Sequence, residues 1–490
     1  MIACAASYKY FIPGVLMSDL ITQPNLENIA QVGGTYHQVL DLGEDRLLAV
    51  RTGGLEVFSR RAGTWIPISH LPLCSIPYLR QRVDGVFASF STKSLRVAVE
   101  ATCRISLEHS ALAAHDEDEP TPACRAIQEG DALYSLGDLP GILSVRMKNG
   151  SETIVRLPGY SNPSSIAIAQ NRHELFVADV GSIHQIEISG GRPVLSGGYY
   201  AAGWPKDVAV DERGVYCANV FGVAWYRETY TYPFIELIDR LSRVHFRVAK
   251  VISRKGRVIV CDEARGLHFF AAEGEKLVAK GGLMLEGGAW DCEVVDNQLF
   301  VATGDAGWVT APFDFESMQV GHLSRHKGCG RVQAVVPWKQ ANGYMVLSSK
   351  RISLARPEVA LPNMSVTDGC DEHVCAWSGV AIGDHFVVAA GSAGVLLLRT
   401  EPSGACKVVF RLKTVEARDL CFDGQFVWVA DGRGGIRCCL INTAKSIIEH
   451  YGVFPVAGFI RGVLSTGKRI YAGAGDGGLV VLKLDSRGIK

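Results

Sequence analysis

The chain has 490 residues, 48% of them hydrophobic, and carries 50 basic and 50 acidic side chains. Such a length exceeds what one hydrophobic core supports, so either several domains or a repeat array is implied. The zero net charge argues against broad electrostatic capture of nucleic acid or of an anionic membrane, and no apolar run approaches the length of a membrane-spanning helix.

The first twenty residues are apolar, but Lys9 falls inside the stretch and no Lys or Arg precedes it, so they read poorly as a secretion signal and are expected to stay in the chain. Fourteen cysteines, many inside apolar runs such as Val215–Ala218 and Arg437–Leu440, read as small buried hydrophobes rather than a disulfide framework. A cytoplasmic location is expected on both grounds.

From there the chain repeats one unit: a short apolar strand, a turn, a second strand, a glycine turn and a third strand. Ala417–Gly432 followed by Gly435–Leu440 shows it plainly, and Arg461–Leu464, Arg469–Gly473 and Gly478–Leu482 show it again. Its second strand ends near Arg51, Phe90, Leu136, Asp179, Asn219, Asp262, Thr303, Ser348, Ala390, Asp431 and Ala474, in steps of 39 to 46 residues. A unit such as Ser378–Lys413 holds four strand-like runs separated by Gly, Asp or Ser turns, with no helical periodicity between them. The fold class expected is therefore all-β, a β-propeller array of about eleven four-stranded blades of about 42 residues each.

Stacked β-sandwiches fit less well, because they lack a unit of that length. The last unit has three strands, and Tyr8–Met17 is the expected source of its fourth. Because propellers typically hold four to eight blades, two rings are expected, residues 1–245 with about five blades and 246–490 with about six. One closed ring over 1–490 is the alternative. Near the division, Phe234–Arg243 is the one irregular stretch, a short helix or a variant outer strand.

The units around Glu416–Leu440 and Phe459–Leu482 resemble LVIVD-type propeller repeats, which pair an Arg-Asp-Val-like inner strand with a Val-Ala-Asp second strand and a Gly-Leu-Val third strand. The resemblance runs from about Pro163 to the end. Before it, notably over Leu79–Ala126, the units depart from the pattern and carry an insertion. Such repeats occur in proteins of diverse roles, so the resemblance implies fold and not function.

In a propeller the first strand of each blade lines the central channel. Aligning the units puts His37, Arg80, Arg125, Ser164, Lys206, Arg247, Asp291, Arg331, Ser378, Arg418 and Arg461 at one inner position, seven of them cationic. Converging guanidinium groups suit carboxylate or phosphate, while pairing with neighbouring Asp207 and Asp419 is the plainer role. Tyr36, Trp290 and Trp377 stand one residue earlier and Trp204 close by. They offer flat surfaces for stacking, or simply packing between blades.

Six donors, His322, His326, Cys329, Cys370, His373 and Cys375, fall in two successive loops on one face, but their spacings match no standard zinc motif. No cofactor is expected, with zinc at those donors the lesser alternative. The acidic run His115–Pro120 lacks the ligand order of a calcium loop, and Gly473–Gly478 opens no helix of the kind a phosphate loop needs. His37 and Asp291 form an acid–base pair only if they face one channel.

These observations point to an interaction module. It would bind a protein partner through the loops His109–Ala126, Tyr199–Pro205 and Met318–Gly330, or a small anionic molecule at the basic channel mouth, with no nucleic acid and no membrane involved. The alternative is a lyase, isomerase or hydrolase using that mouth as its active site.

Overall fold

A computed structural model describes residues 25–485 apart from intervening stretches, the longest of them 109–125 and 356–364. No α-helix is present among the described residues, which form eleven antiparallel sheets. In chain order these occupy 36–72, 78–108, 126–156, 165–200, 205–242, 248–284, 291–326, 332–366, 378–412, 419–454 and 462–485. In ten of them the first four strands pair in sequence order, as a propeller blade requires, and in the 291–326 sheet Ser324–His326 pairs in addition with the third strand.

Burial explains why the second strands read as continuous apolar runs while the outer ones alternate. His385–Ala389 and Val427–Ala430 are buried at every position, because a neighbouring sheet covers each face. The outer strand Cys406–Leu412 is covered along one face only, and its burial alternates. Each hydrophobic cluster is shared by two adjacent sheets: Trp428, Ile436 and Cys438 pack with Ile470, Val480 and Leu482, and Trp338 and Leu354 with Phe386 and Leu396. The core is thus distributed between units, as the length of the chain demanded.

Polar ties with a one-sheet stride accompany this packing. The amide of Val251 donates to Asp207 on the preceding sheet at 3.0 Å, and that of Val463 donates to Asp419 at 3.0 Å. Gly256 and Leu277 likewise donate to Asp211 and Asp239. Asp423 gathers the amides of Gln425 and Phe426, the Trp428 indole N–H and the Ser465 hydroxyl, stapling a hairpin to the next sheet.

The inner strands Pro205–Asp211, Val248–Arg254, Asp291–Val295, Val332–Trp338, Ser378–Ile382, Asp419–Phe422 and Gly462–Ser465 follow one another, and the last returns to the first. That is a closed ring of seven sheets. Separately, Tyr36–Gly43 packs on Ser165–Ala169, so the first sheet meets the fourth. The division expected near residue 245 is therefore corrected, since Pro205–Asp211 packs against Val248–Arg254 across it, and the contacts change partner at 200–205 instead. The same two closures overturn the single ring over 1–490.

The reason lies in two glycines. A Cβ on Gly462 would stand 2.6 Å from the Lys206 carbonyl oxygen, and one on Gly473 would stand 2.9 Å from the Lys206 carbonyl carbon, so only backbone lets the eleventh sheet close on the fifth.

The fourth strand of the eleventh sheet is Asn25–Val32, antiparallel to Leu479–Asp485. An N-terminal segment does supply it, but a later one than expected; Tyr8–Met17 lies outside the described residues. The first four sheets are consequently inserted between the outer strand of the ring's last sheet and the inner strand of its first. Ile235–Ser242, in the irregular stretch, is an ordinary outer strand. Of the eight described cysteines six are buried.

Candidate ligand-binding site

Hydrogen-bond register, rather than sequence spacing, decides which side chains share a level around the ring. Asp207, Lys250, Asp291, Ala334, Ser378, Asp419 and Gly462 each face the residue at or next to the end of the second strand. They form one tier. The residues before them, Lys206, Ala249, Trp290, Gln333, Trp377, Arg418 and Arg461, form a second tier at the channel mouth.

Bulges separate Pro205 from Asp207, Val248 from Lys250 and Val332 from Ala334. They move Arg247 and Arg331 off the ring expected from the sequence and put Ala249 and Gln333 there. Asp291 and Ser378 belong one step further along their strands than Lys206, Arg418 and Arg461.

Apart from Ala334 and Gly462, the residues of the two tiers line, together with Glu263, a cavity of about 670 Å³, open mouth included. At the mouth, the Arg418 guanidinium lies 4.2 Å over the Trp377 ring and 5.5 Å from that of Phe459, while Arg461 lies 5.0 Å from Phe459. Arg331, beside the cavity, covers Trp290 at 5.0 Å. Cations and aromatics are thus interleaved.

Most of these cations are neutralised locally. Lys206 pairs with Glu263 at 2.8 Å, Arg331 with Asp305 at 3.2 Å, and Arg418 with Glu416. Arg461 makes no ion pair among the described residues. Burial and the Arg418 charge beside it pull its pKa below the usual guanidinium range.

In the deeper tier, Lys250 Nζ sits 2.6 Å from Asp291. Burial alone would lower the pKa of this ammonium, but Asp291, Asp207 and Asp419 outweigh it and hold it well above its ordinary value. Burial, reinforced by the charge of Asp419 and opposed by Lys250, pushes the Asp207 carboxyl up to about 7. Burial also raises Asp291, and it pushes neighbouring Glu293 up to about 7. Lys206 and Arg418 do not pair with the aspartates that follow them; those aspartates hold amides of the next sheet.

Of the residues expected to meet a ligand, Lys206, Trp290, Trp377, Arg418 and Arg461 do line the cavity. Arg247 is exposed beside it, its amide bonded to Asp262. Trp204 is 41% exposed and donates to the Thr35 hydroxyl. Tyr36 is fully buried in the first sheet, with its hydroxyl on Glu56 and its ring against Phe58, so it is core. Arg80 lies on the strand Tyr78–Arg82 of the second sheet, away from this ring, and Arg125 lies outside the described residues.

The His37–Asp291 pair does not form. His37 bonds Thr52, and burial lowers its pKa against the pull of Asp476, whereas Asp291 is engaged by Lys250. A Ser-His-Asp grouping occurs elsewhere, but Ser182 and Asp179 both approach Nε2 of His184 and all three are buried, which leaves no base for the hydroxyl and no route for substrate.

Cys329, Cys370 and His373 lie outside the described residues. Of the other expected metal donors, His326 stacks on Trp308 at 4.0 Å, His322 is exposed and Cys375 half-buried. Among the described residues no cluster of three metal-binding side chains occurs. Lys250, Gln333, Glu263 and Phe459 are site residues that sequence spacing missed. The Asp after Lys206, Trp290 and Arg418 was the available signal for the deeper tier.

No family model matches the chain, so the likeness to LVIVD repeats rests on the residues alone. No curated protein matches either. Among solved structures, one similar chain is PorZ, titled an essential bacterial surface component of the type-IX secretion system of Porphyromonas gingivalis. It is 11% identical with a TM-score of 0.49, over 92% of this chain and 68% of that one. Another is a streptogramin B lyase, 10% identical with a TM-score of 0.44, over 58% of this chain and 94% of that one. No described helix is long and apolar enough to cross a membrane.

Proposed function

We propose that the seven-sheet ring is a binding module whose channel mouth takes a small, planar, anionic molecule. The observation that carries this reading is the placement of Arg461. Its guanidinium makes no ion pair among the described residues, since Glu263 and Glu416 nearby are engaged by Lys206 and Arg418, and it is crowded by Arg418 against a shared aromatic ring. Two like charges held together in a cavity are relieved by an anion between them, and guanidinium groups suit the flat fork of a carboxylate or the oxygens of a phosphate. Trp377 and Trp290 supply walls for a flat ligand.

A binding role is favoured over a lyase, isomerase or hydrolase because, among the described residues, no nucleophile in the cavity is hydrogen-bonded to a base. Calorimetric titration with 4-methylbenzoate and with inorganic phosphate, on the native chain and on Arg461→Gln, tests the reading. A loss of about tenfold or more in affinity on substitution is expected. Equal affinity for both chains would remove Arg461 from the site and the proposal with it.

A further inference from the structure

The deeper tier carries a charge that the anion-binding reading leaves unused. Asp207, Asp291 and Asp419 share this level with one cation, Lys250, and Asp291 holds that cation at 2.6 Å. Neither Asp207 nor Asp419 makes an ion pair among the described residues. Each gives an oxygen to an amide of the next inner strand, and Asp207 also accepts from the amide of Val208. Ser378 also lines the cavity at this level, with a small side chain.

Charge is therefore zoned along the cavity. With Lys206 paired to Glu263 and Arg418 to Glu416, the mouth keeps one cation without an ion pair among the described residues, Arg461, which Glu263, Glu416 and Asp476 reach only at longer range. One residue further along the strands, a rise of about 3.3 Å plus the difference in side-chain reach, Asp207 and Asp419 leave the floor negative. Structural ties alone need no such alignment, since Asp211 and Asp239 make the same kind of tie elsewhere on the sheets.

Resting on the anion-binding reading, we infer that the ligand is dipolar, with an anionic group between Arg418 and Arg461 and a cationic amine against Asp207 and Asp419. Trp290 and Trp377, in the mouth tier, give a stacking surface for the flat body of the ligand.

Three probes of one shape separate the contributions: 4-(aminomethyl)benzoate carries both charges, 4-methylbenzoate the negative one and 4-methylbenzylamine the positive one. Titrations at pH 8 and low salt keep the amines protonated. On the native chain the dipolar probe is expected to bind at least tenfold tighter than 4-methylbenzoate. Asp419→Asn keeps a carbonyl for the Val463 amide; it should erase that ratio while leaving 4-methylbenzoate affinity and the melting temperature in place. Arg461→Gln should weaken both carboxylates alike.

If 4-methylbenzoate matches the dipolar probe on the native chain, the dipolar inference falls and the anion site stands. If the ratio is present but survives Asp419→Asn, the acidic floor is not its source and the inference also falls. Binding of 4-methylbenzylamine alone, or of none of the three at millimolar concentration, overturns both readings.

Discussion

Asp207→Asn tests the electrostatics of the ring without touching its architecture. The Asp207 carboxyl titrates at about 7 in the folded protein, against 3.8 for an ordinary aspartate, because burial disfavours its charged form. Between those values the native state binds a proton that the unfolded chain has released. The contribution of this group to stability is therefore full below pH 3.8, falls as pH rises toward 7, and is level above it. At 1.36 kcal/mol per unit, a gap of about three units is worth up to about 4 kcal/mol. The Lys250 charge nearby opposes the effect of burial, so about 2–4 kcal/mol is the expected span. The amide carbonyl of Asn still accepts the Val251 N–H and cannot ionise. Relative to the native chain, the variant should gain this stability progressively from pH 4 to pH 8, read as the pH dependence of the difference between their urea midpoints. A difference that is flat with pH, or that favours the native chain more as pH rises, would refute the placement of Asp207 in a low-dielectric, acid-rich tier.

Two further outcomes concern the closure of the ring. Starting the chain at Gly33 removes Asn25–Val32, which pairs with Leu479–Asp485 at seven positions. At about 1 kcal/mol net per hydrogen bond the loss is on the order of 3–7 kcal/mol. It also bares a sheet edge, so a lower melting temperature together with concentration-dependent association on size exclusion is expected; an unchanged melt would show the strand to be dispensable. Gly462→Ala places a Cβ 2.6 Å from the Lys206 carbonyl oxygen and should cost about 1–3 kcal/mol by forcing the fifth and eleventh sheets apart, measured by calorimetry. Retention of native stability would mean the two sheets are not in backbone contact there.

The repeat was legible because the four-strand unit writes its burial into the sequence. Strands covered on both faces, such as His385–Ala389 and Val427–Ala430, become apolar runs at a regular spacing. Ring membership was not legible, because it depends on which inner strands face one another, and nothing in the composition near 200–205 differs from any other turn. The one sequence trace of the true closure is negative: glycine at 462 and 473, where other units carry a side chain. The site was half legible. Lys206, Trp290, Trp377, Arg418 and Arg461 followed from counting along each unit, but one extra residue at each of two bulges displaced Arg247 and Arg331 and concealed Lys250 and Gln333.

The same geometry explains why a neutral protein presents a charged cavity at all. Lys206–Asp207 and Arg418–Asp419 look like self-neutralising pairs, yet successive residues on a strand point to opposite faces and cannot meet. Each cation must find its acid on a loop, Glu263 or Glu416, while each aspartate turns to an amide of the next sheet. Arg461 breaks the series. Its strand closes the ring, and closure requires glycine at the following position, where the others carry aspartate. Arg461 is the cation left without an ion pair among the described residues, because Glu263 and Glu416 near it are already engaged by Lys206 and Arg418.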